Sequence, residues 1–187
     1  GLVRRLEPYE MLNQVLFTQV DSGQPISHIV LMGIGEPLDN FDNVMRAIEI
    51  LTADWGFGWS PKRITVSTIG VLPNLKRFLD ESRCHLAVSL HDPFGPERLS
   101  MMPVQGPWPI QEVIDLIKKY DCEKYVYFMT GNDTLMRQLG ALAPDIARCV
   151  GGGNARDLVV ERAIEMGCEK VQFVRKHFTK EKIELAH

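Results

Sequence analysis

No two cysteines of this chain stand close together. Cys84, Cys122, Cys149 and Cys168 form no C-x-x-C or C-x-x-x-C pair. Thiolate sites for zinc or iron–sulfur clusters need such spacing, so no metal ligand is assigned. Two disulfides are conceivable, but scattered buried thiols in a reducing cytoplasm are the expectation. An excess of positive charge is also missing. Residues 1–121 carry 11 basic and 15 acidic side chains, and residues 122–187 carry 10 and 9. Neither part has the basic surplus of an autonomous nucleic-acid binder. Long apolar runs are absent too: none approaches the ~20 residues that span a bilayer, and no segment has the pattern of a signal peptide. No membrane partner is therefore expected. Position 1 is Gly, not Met, so the chain is expected to be cut from something longer.

What is present suits a single α/β domain over residues 1–187. Hydrophobic residues make up 45% of the chain, enough for one core. Short β-rich apolar runs are predicted as strands at 28–32, 63–67, 85–90, 124–130, 146–150 and 170–174. Several are almost continuously apolar, as parallel strands covered on both faces are. Amphipathic helices alternate with them. Val44, Ala47, Ile48 and Leu51 follow i, i+3, i+4, i+7, with Asn40 or Asp39 as N-cap. Ile110, Val113, Ile114 and Ile117 repeat the spacing, with Pro109 in the first helical turn. Leu135, Leu139 and Leu142 mark another stripe. Val160, Ala163 and Ile164 mark one more, ended by Gly167. Helices also fit 8–20, 73–79 and 179–186. This rhythm implies a parallel sheet, either open and doubly wound or curved like a barrel.

Ligands in such folds sit at the C-terminal strand ends. Those ends read Gly33-Ile34-Gly35-Glu36-Pro37, Ser67-Thr68-Ile69-Gly70, Ser89-Leu90-His91-Asp92, Gly131-Asn132-Asp133 and Gly151-Gly152-Gly153-Asn154. Singly, each has an ordinary reading as turn or helix cap. Together they gather a carboxylate, hydroxyls and an imidazole on one rim.

The stretch Val30-Leu31-Met32-Gly33-Ile34-Gly35-Glu36-Pro37-Leu38-Asp39-Asn40 resembles the radical-SAM methyltransferases that methylate adenine C2 or C8 of ribosomal RNA. The resemblance continues through Arg63–Gly70, Leu86–His91 and Met102-Pro103, and covers residues 1–121. It implies a TIM-like barrel fold, S-adenosylmethionine and a [4Fe–4S] cluster as cofactors, and ribosomal RNA or tRNA as partner. Carried over residue by residue, it implies cofactor contacts from Gly35, Glu36, Ser67, Ser89, His91 and Asn132. The family's three-cysteine cluster loop and its methyl-carrying cysteine have no counterpart here, so no catalytic residue is assigned and the chain is expected to be silent.

Residues 122–187 look different. Ala143-Pro144-Asp145-Ile146-Ala147-Arg148-Cys149, Val160–Cys168 and Phe178–Ile183 resemble the later part of a glycerophosphodiester phosphodiesterase barrel. That resemblance implies a chimera joined near Tyr120–Tyr125. The expected fold is an incomplete TIM-like barrel of about six parallel strands with outer helices, its open edges inviting a homodimer. A phosphodiester hydrolase and a designed scaffold without activity are the alternative functions.

Overall fold

The computed structural model describes residues 4–32, 35–89, 110–151, 158–173 and 179–186. These divide into two compact units, residues 4–89 in the first and 110–186 in the second. Of the positions singled out above, Gly33, Ile34, Leu90, His91, Asp92, Met102, Pro103, Pro109, Gly152, Gly153 and Asn154 lie outside the described residues.

The first unit holds helix α1 (Pro8–Ser22), strand β1 (Ile29–Leu31), α2 (Phe41–Thr52), β2 (Ile64–Thr68), α3 (Leu72–Glu81) and β3 (His85–Val88). The strands are parallel in the order β1-β2-β3, with Ile29 opposite Ile64 and Val66 opposite Leu86. The predicted stripe of α2 is buried at Val44, Ala47, Ile48 and Leu51, as are Ile64 and Val66 of β2 and Leu75 and Phe78 of α3. Burying such side chains gives each about 1.5–3 kcal/mol, which is what fixes these helices on the sheet.

The expected N-cap of α2 works differently. Asn40 stands at the cap position, but its amide donates to the Leu6 carbonyl at 2.8 Å, and Asp39 pairs with Arg5. A 3-10 turn at Pro37–Asn40 leads into the helix, and the carboxylate that caps that turn is Glu36. Where α2 ends, the chain turns so tightly that a Cβ on Gly56 would lie 1.9 Å from the Ile50 carbonyl oxygen. Only glycine avoids that clash, and the turn sets the approach of the next segment to β2.

The second unit holds α4 (Ile110–Lys119), β4 (Tyr127–Thr130), α5 (Asp133–Leu142), β5 (Ala147–Val150), α6 (Val159–Met166), β6 (Lys170–Val171) and α7 (Lys180–Leu185). Its strands are parallel in the order β4-β5-β6. Met136, Val150, Val159, Val160, Ala163 and Met166 form its core, flanked by Cys168, Val171 and Phe173. Gly167 ends α6 in the left-handed conformation, as predicted. Strand β4 begins three residues later than predicted, because Glu123–Tyr125 close a 3-10 turn in which Tyr125 N–H donates to Cys122 O.

The parallel rhythm thus holds within each unit. The pairings among the described residues form two three-stranded sheets and do not join the six strands into one. Continuous apolarity overstated the burial of β1 and β4. Val30 and Met32 are 52% and 67% exposed, Tyr127 and Met129 50% and 52%. Among the described residues each of these strands pairs on one side only, which leaves an edge unpaired, and the side chains of one face are exposed.

Candidate cofactor site at the strand ends

Parallel pairing aligns the C-terminal ends of β1, β2 and β3, and this brings Gly35, Glu36, Ser67 and Ser89 to one rim of the first unit. Gly35 has φ +118, a conformation that L side chains rarely adopt, so glycine is required just where the chain leaves β1. It delivers Glu36 towards the end of β2. There the carboxylate is held by three donors. Its Oε1 accepts from Leu38 N–H at 2.9 Å and from Thr68 Oγ1 at 2.6 Å, and its Oε2 accepts from Ile69 N–H at 2.9 Å. All three donors are uncharged. Thr68 Oγ1 accepts in turn from Gly70 N–H at 3.0 Å, and Thr68 O accepts from Ser89 N–H at 2.8 Å. One network therefore ties the ends of all three strands.

Ser67 is nearly buried, with Ala87 as its register partner on β3. Two residues beyond Ala87 comes Ser89, which is half-buried. A cavity of about 500 Å³ runs along β1, lined by Met11, Val15 and Thr18 of α1, by Ile29 and Leu31, and by Gly35 and Glu36 at its rim end. Ser67 and Ser89 do not line it. The network takes in Glu36 and the Ser89 N–H, the cavity Gly35 and Glu36, and Ser67 belongs to neither.

Asn132 belongs to the second unit. It caps α5, its side-chain oxygen accepting from Leu135 N–H at 3.1 Å. Beside it lies a group that the sequence reading missed. Arg162, 8% exposed, donates through Nε to Asp133 Oδ1 at 2.9 Å and through its terminal nitrogens to Asp133, Gly131 O and Gly151 O. Asp133 starts α5, and the two glycines follow β4 and β5. The Arg162 guanidinium holds the Asp133 carboxyl below the usual carboxylate range, against the opposing effect of burial. The signal was visible: Arg162 lies on the helix face of Val159, Ala163 and Met166, a charge inside an apolar stripe. Thr68 was missed because a strand-end hydroxyl has no pattern of its own.

The four thiols fit no cluster. Burial pushes each of them above its ordinary pKa, and no two stand at the spacing of cluster ligands. Among the described residues no three His, Cys, Asp or Glu side chains converge to hold a metal. No described helix is long and apolar enough to cross a membrane.

No family model matches the chain. It is 51% identical over 142 residues to a protein of Parabacteroides distasonis named "probable dual-specificity RNA methyltransferase RlmN", a match covering 72% of this chain and 41% of the relative. A protein of the same name from Porphyromonas gingivalis is 50% identical over 145 residues, covering 74% and 41%. A radical SAM methyltransferase from Sphaerobacter thermophilus, known as a crystal structure, superposes with a TM-score of 0.78 at 28% identity, covering 94% of this chain and 60% of the other. The chain spans about two fifths of the length of the curated relatives it matches. Of 187 residues, 72% is about 135, and any unbroken stretch of that length includes residues 53–135. The methyltransferase likeness therefore covers more of the chain than a stretch of 121 residues. Nothing in these comparisons supports a phosphodiesterase-like segment at 125–187.

Proposed function

We propose that the chain carries the cofactor-facing strand ends of an S-adenosylmethionine-dependent radical-SAM RNA methyltransferase, and that alone it performs no methyl transfer. The observation that carries this reading is Glu36. A rim carboxylate fixed by three uncharged donors keeps its full negative charge for a ligand, and the amino-acid end of S-adenosylmethionine brings an ammonium. Gly35 gives the backbone approach, and the hydroxyls of Ser67 and Ser89 suit a ribose. The family resemblance also assigns cofactor contacts to His91 and Asn132, and ribosomal RNA or tRNA is the substrate in that family, not expected to bind this chain tightly.

A bound [4Fe–4S] cluster would supply the electron that cleaves the cofactor. The cysteines of this chain do not fit one, so no chemical step is assigned to it here. The family resemblance implies an incomplete barrel of about six parallel strands, and self-association through its open edges at β1 and β6 belongs to the same proposal. The phosphodiesterase alternative requires paired metal-binding carboxylates. Among the described residues no three His, Cys, Asp or Glu side chains converge in such an arrangement.

Anaerobic reconstitution with iron and sulfide, followed by calorimetry with S-adenosylmethionine, tests the reading. The expected result is no stoichiometric cluster and weak cofactor binding that Glu36→Ala abolishes. A reproducible four-iron stoichiometry with a cluster EPR signal overturns the silent part. S-adenosylmethionine binding indifferent to Glu36→Ala overturns the site.

A further inference from the structure

We infer that Thr68 is a positioning residue, one that aims a single oxygen of Glu36, Oε2, at the cation of the cofactor. The inference rests on the site reading above. An ionised carboxylate has two oxygens with about four acceptor sites. Oε1 already accepts from Leu38 N–H and Thr68 Oγ1, so both of its sites are taken. Among the described residues Oε2 accepts only from Ile69 N–H, which leaves one of its two acceptor sites for a ligand. Two of the three donors are backbone groups, whose positions the 3-10 turn and the end of β2 dictate. Thr68 supplies the third, and it is the one side chain among them.

Its aim is itself fixed. The residue is 2% exposed, and its hydroxyl oxygen accepts from Gly70 N–H at 3.0 Å, which directs its hydrogen to Glu36 Oε1 at 2.6 Å. Without that hydroxyl, Oε1 regains a free acceptor site. The carboxylate can then rotate about its last torsion, which is broad and roughly two-fold. The ammonium loses an acceptor set in advance, while the rest of the pocket keeps its form. Preorganised acceptors bind more tightly because the ordering cost is met before the ligand arrives.

The test compares two ligands on the full chain by saturation-transfer NMR, which reads weak binding. S-adenosylmethionine carries the ammonium; 5′-methylthioadenosine keeps the adenosine and sulfur but lacks the amino-acid end. Thr68→Val removes the hydroxyl at nearly constant shape, and Thr68→Ser keeps it. Thr68→Val should weaken S-adenosylmethionine about five- to tenfold, the size of the ordering cost of one immobilised side chain. It should leave methylthioadenosine within about twofold, a change of less than 0.5 kcal/mol. Thr68→Ser should restore S-adenosylmethionine binding. Equal weakening of both ligands by Thr68→Val, or no weakening, overturns the role of Thr68 while the site reading stands. A wild-type chain that binds neither ligand overturns the site reading and the role of Thr68 with it.

Discussion

Glu36 in the first unit and Asp133 in the second occupy corresponding places: each is a carboxylate in the turn that follows the first strand of its sheet. Their partners differ in kind. Glu36 takes two backbone N–H groups and one hydroxyl, whereas Asp133 takes a buried guanidinium that also binds the carbonyls of Gly131 and Gly151. Both turns are held against a neighbouring strand. Only the first retains an uncompensated negative charge, because neutral donors satisfy lone pairs without cancelling charge, while Arg162 does both. In the second unit Arg162 both neutralises and fixes the carboxylate of the turn. The same parallel scaffold can therefore present or withhold an anionic site through the choice of one partner.

Arg162→Met should show the largest effect, since it strands a carboxylate and two carbonyls while filling much of the volume. Breaking a buried ion pair from one side costs about 3–5 kcal/mol. Native-state hydrogen exchange should report that loss at the β4 and β5 amides and leave β2 unchanged. Equal acceleration in both units would show that the clamps do not act locally.

Glu36→Gln is the mirror experiment. The amide keeps the shape but presents an NH2 to donors that need an acceptor, at about 1–3 kcal/mol for the unsatisfied group. Exchange should quicken at β1 and β2 by less than Arg162→Met quickens it at β4 and β5. A larger loss in the first unit would reverse the ranking of the two clamps.

Acid should separate the units further. Arg162 lowers the folded pKa of Asp133, so the unfolded chain takes up the proton first as pH falls. The contribution of Asp133 is complete above the unfolded carboxylate value of about 3.9 and disappears as pH drops through the folded value. Acid unfolding followed at β4 and β5 should weaken in that window in the wild type, and Arg162→Met should remove this part of the pH dependence. The smallest effect is expected from Lys182→Ala, which opens the 2.6 Å pair with the largely exposed Glu161. Such surface pairs contribute about 0–1 kcal/mol, and urea midpoints should barely move.

The strand positions were legible because β-branched and apolar residues cluster in them, as at Ile64, Thr65 and Val66 and at Cys149 and Val150. The α2 stripe was legible for the same reason at a period of 3.6. Less was readable at the edges. Val30 and Tyr127 sit in runs as apolar as any central strand, and only the packing over the sheet decides that these side chains stay exposed. The candidate site was readable as a set of strand ends, since parallel topology sends them all to one rim.

Sequence by itself settled the α/β alternation, the apolar stripes and the Gly35-Glu36 turn, because these depend on local chemistry and on periods of two and 3.6 residues. Which donors hold each carboxylate was a matter for the tertiary structure. Thr68 and Ile69 lie 32 and 33 residues beyond Glu36, and Arg162 lies 29 beyond Asp133. No local rule connects residues so far apart. Their meeting follows from strand register and helix packing, and a hydrogen bond depends on angles and tenths of an ångström that only the folded chain sets.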